Sequence, residues 1–473
     1  MFVNTENSTT HPPKGVSKKT TDTTFDASLI DASTAESPHV PHRSSALLTD
    51  KYELTMLQAS LADGTAHRPC TFEVFARRLP NERRYGVVAG TARVLRAVQD
   101  FVFTEEQLAN LSFLDDTTLD YLRNYHFSGH IDGYREGDLY FPHSPILTVR
   151  GTFAECVILE TVILSIMNSD SAIASAAARM VTAADGRTLI EMGSRRTHEY
   201  AAVSASRAAY LAGFDATSNL EAAHRYGIPA AGTAAHAWTL VHVNEDGTPN
   251  EEAAFRAQVE SLGVSTTLLV DTYDITTGVE TAIKVAGPEL GGVRIDSGDL
   301  GVLTRQVRKQ LDDLGAHNTK IVVSSDLDEF AIAGLRGDPV DVFGVGTSLV
   351  TGSGAPTAGM VYKLVEVEGR PVAKRSRNKA SYGGAKRAVR TSRNTGTAVE
   401  EVVYPFANDI PTIGTLTATE LTVPLMRNGS VLEGLPSLQE SREYLAAQLV
   451  TLPWEGLALS RDEPALATRF IGF

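Results

Sequence analysis

The sequence predicts an α/β protein built on a parallel sheet curved towards a barrel, with a second, α+β domain attached. Three observations predict it. Short β-type runs alternate with amphipathic helices between residues 188 and 344. The chain on either side lacks that rhythm. Charged, hydroxyl and glycine residues collect just past the runs, at the edge where parallel sheets bind their ligands. The runs are 188–192, 228–232, 267–271, 292–296, 320–324 and 340–344. Their spacing of 20 to 40 residues leaves room for one helix per crossover, and six such units in series favour a barrel over an open sheet. The clearest intervening helix is 299–314, in which Leu300, Leu303, Val307, Leu311 and Leu314 share one face.

In chain order, residues 1–45 are rich in Thr, Ser, Pro and His, without an apolar core segment or an excess of arginine. They read as a disordered tail and match neither a secretory signal nor a transit peptide. The α+β domain, 46–150, opens with a helix at 49–56 that Thr49 or Asp50 is placed to cap. A strand follows at 70–80, with Arg77 and Arg78 near its end; Tyr52 and Phe75 read as core residues. Leucines at 108, 111, 114, 119 and 122 make 101–127 helical, and 140–149 returns to strand. The barrel-like domain, 151–365, begins with an Ala-rich helical stretch at 155–184 and continues into the β/α series. Past it, residues 371–395 carry Lys374, Arg375, Arg377, Lys379, Lys386, Arg387, Arg390 and Arg393 with no acidic residue. That run is either a solvated basic loop or a flap over a polyphosphate. Strand pieces and a helix at 437–449 complete the segment 366–473, which is expected to finish the amino-terminal domain.

Composition narrows the partners. The 473-residue chain has a formal net charge of −14, which argues against general binding to nucleic acid or to an acidic membrane. An anionic ligand therefore has to meet a local basic site. Cys70 and Cys156 are the only cysteines and have no metal-ligand spacing, so neither a disulfide framework nor a structural zinc is indicated, and a reducing cytoplasm fits. The longest apolar run, 156–167, contains Glu160 and is too short to span a bilayer.

Four strings at the run ends carry the chemistry. GIPAAGTAAHAW at 227–238 places Thr233 and His236 just past a strand end, where the N–H groups opening the next helix favour anions. A histidine there suits phosphate chemistry or simple capping. RIDSGDL at 294–300 delivers Arg294 and Asp296 on one face of a strand, because side chains alternate with period two, and Ser297 follows at a tight turn. An arginine beside two carboxylates is equally readable as an ion-pair network. FGVGTSL at 343–349 offers Gly346 and Thr347 as a phosphate cradle. EMGSRRT at 191–197 presents Arg195 and Arg196, a pair suited to bidentate grip on phosphate or carboxylate. With Asp271 and Asp326 at neighbouring strand ends, these elements imply a polyanionic, magnesium-bound sugar phosphate at one rim; no Walker-type P-loop occurs.

In their order along the chain, TDKYELTM (49–56), FEVFARRLP (72–80), GFDATSN (213–219), GTAAH (232–236), RIDSGDL (294–300) and GVGT (344–347) resemble the nicotinate phosphoribosyltransferases, over about residues 46–450. The resemblance implies the type II phosphoribosyltransferase fold, an irregular (β/α) barrel-like domain plus an α+β domain, in a homodimer with shared active sites. It implies reaction of nicotinate with 5-phosphoribosyl 1-pyrophosphate to give nicotinate mononucleotide and pyrophosphate, with Mg2+ and with ATP as co-substrate, in cytoplasmic NAD synthesis. On that pattern His236 is transiently phosphorylated. Tyr52, Thr233 and Arg294 contact nicotinate, with Tyr52 stacking on its ring from the partner subunit, and Thr347, beside Gly346, contacts the ribosyl phosphate. Asp296 and Asp326 are assigned to ribose and magnesium contacts, Ser297 to substrate binding, and Arg195, Arg196 and the basic stretch 374–390 to phosphates. The chemistry agrees: the attacking pyridine nitrogen carries no proton, so the step needs positioning, a stabilised cationic sugar and a neutralised leaving group rather than a general base. Histidine suits the phosphoryl step because its reference pKa of ~6.5 leaves a neutral nitrogen near pH 7.

Two departures stand out: the tail lies outside the family core, and ASAAAR at 174–179 lacks a lysine that many relatives carry in that helix. Nicotinamide-specific relatives place an aspartate near 217–219, which here reads Thr217, Ser218 and Asn219. An acid would repel a carboxylate, so nicotinate is favoured over nicotinamide, and Thr217→Asp is expected to penalise nicotinate relative to nicotinamide. A quinolinate-specific enzyme would need further cations. A non-catalytic phosphate-binding protein on this scaffold would be expected to lack His236, Arg294 or Asp296.

Overall fold

The computed structural model describes residues 44–374 and 382–473; the expectations for the tail up to 43 and for Arg375, Arg377 and Lys379 fall outside them. Ser45 is already anchored, its N–H donating to Asp100 O at 3.0 Å.

Six parallel strands form the barrel-like sheet: Thr188–Glu191, Ala216–Thr217, Thr267–Leu269, Gly292–Ile295, Lys320–Ser324 and Val342–Val345. The last in sequence lies against the first, Val342 beside Thr188 through Val345 beside Glu191, with the Ala216–Thr217 strand on the other side of the first. That pairing curves the series back on itself, as barrel closure requires. The expected strand 228–232 does not form. Pro229 has no N–H to give a ladder, and only Ala230 makes a bridge, to Thr217. Among the described residues nothing pairs Ala230 with Thr267–Leu269, which leaves a seam in the barrel wall. The buried Gln258 side chain donates to Thr267 O at 3.0 Å and seals that edge. Ala216–Thr217 escaped prediction because two residues cannot display a period.

The helix Leu300–Asp313 begins as its sequence dictates, the Asp299 carboxylate accepting from Val302 N at 3.1 Å, with Val307 and Leu311 buried. Helix Glu160–Ala184, 25 residues long, joins the two halves of the molecule. Val162, Ile163 and Met167 belong to the core of the antiparallel half, while Ile173, Met180 and Ala184 belong to the barrel core. Every residue from Asp170 to Met180 is buried, including Asp170 and Arg179, which are paired with Arg93 and Glu329. Within 101–127 only Glu105–Ala109 and Asp116–Arg123 are helical, because Asp115 caps a fresh start through Thr118 N.

The antiparallel half is a seven-stranded sheet in the order Arg370–Pro371, Met360–Val367, Pro69–Ala76, Leu147–Thr152, His130–Gly133, Val423–Arg427, Ser430–Val431. A four-stranded sheet, Thr417–Glu420, Lys386–Ser392, Ala398–Pro405 and Ala467–Phe470, accompanies it. These strands correct the reading of the basic stretch. Lys386 is buried against Glu73 at 3.0 Å, Arg387 pairs with Glu420, and Arg390 bridges Asp138 at 2.8 Å and Glu401 at 2.7 Å. Lys386 and Arg390 are used inside the fold and cannot line a phosphate flap, and the partly exposed Arg387 is held by Glu420. The carboxyl-terminal helix, Leu438–Thr451, carries a Ser437–Glu440 capping box. It packs on the barrel helix Glu199–Ala212: Arg442 donates to Tyr210 O at 2.6 Å and to Phe214 O, and Leu445 enters the barrel core. The closing segment thus serves both halves.

Candidate active site

The segment 232–236 meets the ends of strands Gly292–Ile295 and Lys320–Ser324 at the mouth of the seam. Arg294 Nε donates to Ser324 Oγ at 2.6 Å; one terminal nitrogen reaches Thr233 Oγ1 and Ala234 O, each at 3.3 Å, and the other reaches Asp296 Oδ1 at 3.4 Å. Ser324 Oγ donates in turn to Asp296 Oδ1 at 2.6 Å. His236 opens the short helix His236–Leu240. Its Nδ1 lies 3.1 Å from Thr272 Oγ1, and its Nε2 faces Asp271 Oδ1 at 3.9 Å and Asp296 Oδ2 at 3.8 Å. The imidazole is 40% exposed and Asp271 1% exposed, so a ligand can reach the ring while the carboxylate behind it stays dry.

Asp271 explains the local turn. Its Oδ2 accepts from Asp296 N and Ser297 Oγ, both at 2.8 Å, and Gly298, at φ +85°, lets the chain fold Ser297 back onto it. Its Oδ1 is buried with no hydrogen-bond partner among the described residues. A stranded buried carboxylate oxygen is costly, so this atom marks a place for a donor or a cation beside Nε2.

The first and last strands bring the remaining loops together. Glu191, buried, accepts from Gly193 N, from Ser206 Oγ at 2.8 Å and from Thr217 Oγ1. Met192 N donates to Val345 O at 2.7 Å, and a Cβ on Gly193 would sit 3.1 Å from Gly346 O. The loop carrying Arg195 and Arg196 therefore adjoins the one carrying Gly346 and Thr347. Both arginines are exposed and have no ion-pair partner among the described residues, and Thr347 is exposed at the start of the turn Thr347–Val350. Asp326, also exposed, lies two residues past the Lys320–Ser324 strand, the immediate neighbour of the strand that ends just before Asp296.

Two expectations change. Tyr52 is 45% exposed rather than core; its phenol is pushed up to about 12 by burial and by Glu160 and Glu53, residues outside the mouth. Thr217 is fully buried with its hydroxyl on Glu191, so Thr217→Asp would press one carboxylate against another and test stability rather than specificity. The exposed neighbour is Ser218, whose N–H donates to Glu191 O at 2.8 Å.

Sequence reasoning left Ser324, Thr272 and Glu191 unassigned and named Asp271 only as a strand-end residue. Their signals are a hydroxyl or acid at the end of an apolar run, meaningful only once strand order is known. Among the described residues no group of three or more His, Cys, Asp or Glu is arranged to hold a metal, and no helix is long and apolar enough to cross a membrane. A cavity of about 670 Å³ lined by Arg150, Glu366, Phe406 and Phe473 lies in the antiparallel half and involves none of these residues.

Known proteins resemble this chain in sequence and in fold. The family model described as the nicotinate phosphoribosyltransferase N-terminal domain matches residues 47–168, and that of the nicotinate phosphoribosyltransferase family matches 188–398. The chain is 63% identical over 428 residues to nicotinate phosphoribosyltransferase pncB1 of Mycobacterium tuberculosis, covering 90% of this chain and 95% of that one. It is 40% identical to the Bacillus subtilis nicotinate phosphoribosyltransferase over 339 residues, 68% of this chain and 67% of that one. Human nicotinic acid phosphoribosyltransferase superposes with a TM-score of 0.75 at 26% identity, covering 89% of this chain and 97% of that one. The nicotinate-nucleotide pyrophosphorylase of Pyrococcus furiosus gives 0.72 at 26% identity, covering 86% and 95%. Matched across both halves and at this level of identity, the chain belongs to the nicotinate phosphoribosyltransferase family.

Proposed function

We propose that this protein forms nicotinate mononucleotide and pyrophosphate from nicotinate and 5-phosphoribosyl 1-pyrophosphate, coupled to ATP hydrolysis through a phosphohistidine at His236. The observation that carries the reading is Arg294, held at the mouth beside Thr233 and within one residue's reach of the His236 cluster. A planar guanidinium whose terminal fork makes only contacts of 3.3–3.4 Å within the protein suits the nicotinate carboxylate. The pyridine nitrogen bonds to the ribose anomeric carbon as the carbon–oxygen bond to pyrophosphate breaks, and no proton moves. Asp296 and Asp326 face the developing positive charge of the sugar; Arg195, Arg196, Gly346 and Thr347 receive the phosphates.

In the coupled step a ring nitrogen of His236 takes the γ-phosphoryl group and ADP leaves; water later returns the histidine and releases phosphate. The added charge reorders nearby cationic loops and so changes substrate affinity. Mg2+ fits the residues present. The unpartnered Asp271 Oδ1 and the partly exposed Asp296 are hard oxygen donors, and one or two carboxylates plus substrate phosphates are what this ion commonly takes. When bound it would neutralise phosphate charge.

A homodimer in the cytoplasm completes the proposal. Leu48, Tyr52 and Met56, at 64%, 45% and 36% exposure, recur every four residues along one side of the amino-terminal helix and its lead-in. An apolar stripe of this kind suits a second copy, which would deliver Tyr52 to the partner's nicotinate.

The test is mononucleotide formation with nicotinate, nicotinamide and quinolinate, each with and without ATP. Nicotinate turnover stimulated by ATP is expected; no product from nicotinate would overturn the reading. Arg294→Ala is expected to raise the nicotinate KM by roughly 10- to 100-fold, the worth of a charged hydrogen bond, with little change for the sugar phosphate. Ser218→Asp should lower the nicotinate-to-nicotinamide ratio of kcat/KM by about tenfold or more, measured by competing the two substrates.

A further inference from the structure

We infer that Ser324 is a positioning residue for the substrate carboxylate, setting which edge of Arg294 is offered to it; this rests on the functional reading above. Ser324 is 5% exposed and ends the strand Lys320–Ser324. The parallel register, Val322 beside Arg294 and Val323 beside Ile295, brings it level with Asp296. A hydroxyl has one proton and two lone pairs. Arg294 Nε–H can only donate, so Ser324 Oγ accepts there at 2.6 Å. An ionised Asp296 can only accept, so the single hydroxyl proton goes to its Oδ1, also at 2.6 Å. Both directions are fixed by chemistry, and the hydroxyl cannot rotate without breaking one of them.

The consequence lies in the shape of a guanidinium. It can grip a carboxylate through Nε and one terminal nitrogen, or through both terminal nitrogens. Ser324 occupies Nε, which leaves the terminal fork for the ligand. The contacts that fork makes within the protein, 3.3 Å to Thr233 Oγ1, 3.3 Å to Ala234 O and 3.4 Å to Asp296 Oδ1, are long for hydrogen bonds of this kind. They are contacts a substrate carboxylate can displace. Ser324 also stands between Arg294 and Asp296, both largely withdrawn from solvent, at 12% and 28% exposure. Without its hydroxyl, Nε–H and Asp296 Oδ1 each lose a 2.6 Å partner, and their remedy is to close on each other. The tightened internal ion pair then competes with nicotinate for the guanidinium. The serine therefore keeps the arginine available, which is a role neither charged residue can perform for itself.

The experiment compares the wild type, Ser324→Ala and Ser324→Thr, with nicotinate, nicotinamide and the sugar phosphate varied separately. Ser324→Ala is expected to raise the nicotinate KM by roughly 10- to 100-fold, with kcat and the KM for the sugar phosphate within about threefold of the wild type. Residual nicotinamide use should be unaffected, since that ligand has no carboxylate to lose. Ser324→Thr keeps the hydroxyl and should stay within about threefold on every constant. An unchanged nicotinate KM in Ser324→Ala, equal rises for both substrates, or a threonine variant as impaired as the alanine one would overturn the inference. A wild type that does not use nicotinate at all would overturn the functional reading together with it.

Discussion

His236→Asn is expected to abolish ATP-stimulated mononucleotide formation and phosphoenzyme labelling, a fall of at least about 10³-fold in the ATP-dependent rate. Thermal unfolding should stay close to the wild type. The ring is 40% exposed and opens a five-residue helix, so little packing is lost, and an asparagine amide can replace the contact to Thr272 Oγ1 at 3.1 Å. What asparagine cannot supply is a ring nitrogen that bonds to phosphorus. The measurement is incorporation of label from γ-labelled ATP, acid-labile and alkali-stable as phosphohistidine is, alongside product formation with and without ATP. Stimulation surviving at the wild-type level would remove His236 from the energy coupling and leave it a wall residue of the mouth.

Arg390→Met is expected to destabilise the protein by about 3–5 kcal/mol, the usual cost of removing one partner from a buried ionic cluster. Arg390 is 5% exposed, between Asp138 at 1% and Glu401 at 0%. Burial by itself lowers the guanidinium's pKa, and the two carboxylates more than offset it, so the net shift is upward. Tyr444 OH donates to Asp138 at 3.1 Å and Tyr134 OH to Glu401 at 3.2 Å, but hydroxyls cannot neutralise two charges. Without the arginine both acids stand buried and uncompensated, and the carboxyl of Glu401, already pushed up by burial, rises further. Because protonation then removes the uncompensated charge, the deficit should be largest at neutral pH and shrink towards pH 5. Thermal unfolding of variant and wild type at both values checks it; a midpoint lowered by less than about 2 °C at neutral pH would show the cluster to be energetically idle.

The same cluster shows why some of this structure was legible in the chain and some was not. The mouth was legible because RIDSGDL and GTAAH are short strings at strand ends, where alternation places Arg294 and Asp296 on one side without knowledge of anything distant. The basic run was misread for the opposite reason. Glu73 and Asp138 lie hundreds of residues before their partners Lys386 and Arg390, so a count of local charge finds cations with nothing to balance them. Ser324 and Glu191 lie between these cases. Each is unremarkable in its own run and acquires a role only through the strand laid beside it. Residues 228–232 have the apolar content of a strand, but Pro229 lacks the N–H that a ladder needs, and local composition does not display that loss. Tyr52 stands in a helix whose Leu54 and Leu57 are core residues, and its own 45% exposure follows from the side of that helix it occupies.

The seam between Ala230 and Thr267–Leu269 bears on local stability. Strands Gly292–Ile295 and Lys320–Ser324 are laddered on both sides, so displacing Arg294, Asp296 or Ser324 means opening the barrel itself. The stretch from Ala231 to Leu240 is held chiefly by side chains: Arg294 on Thr233 and Ala234, Thr272 on His236, and the Trp238 indole on Ala254 O at 3.1 Å. It can therefore open as a small cooperative unit of its own, at a fraction of the free energy of global unfolding. The wall that grips substrate and the segment that carries the histidine belong to different stability classes, and repeated excursions of the second leave the register of the first untouched.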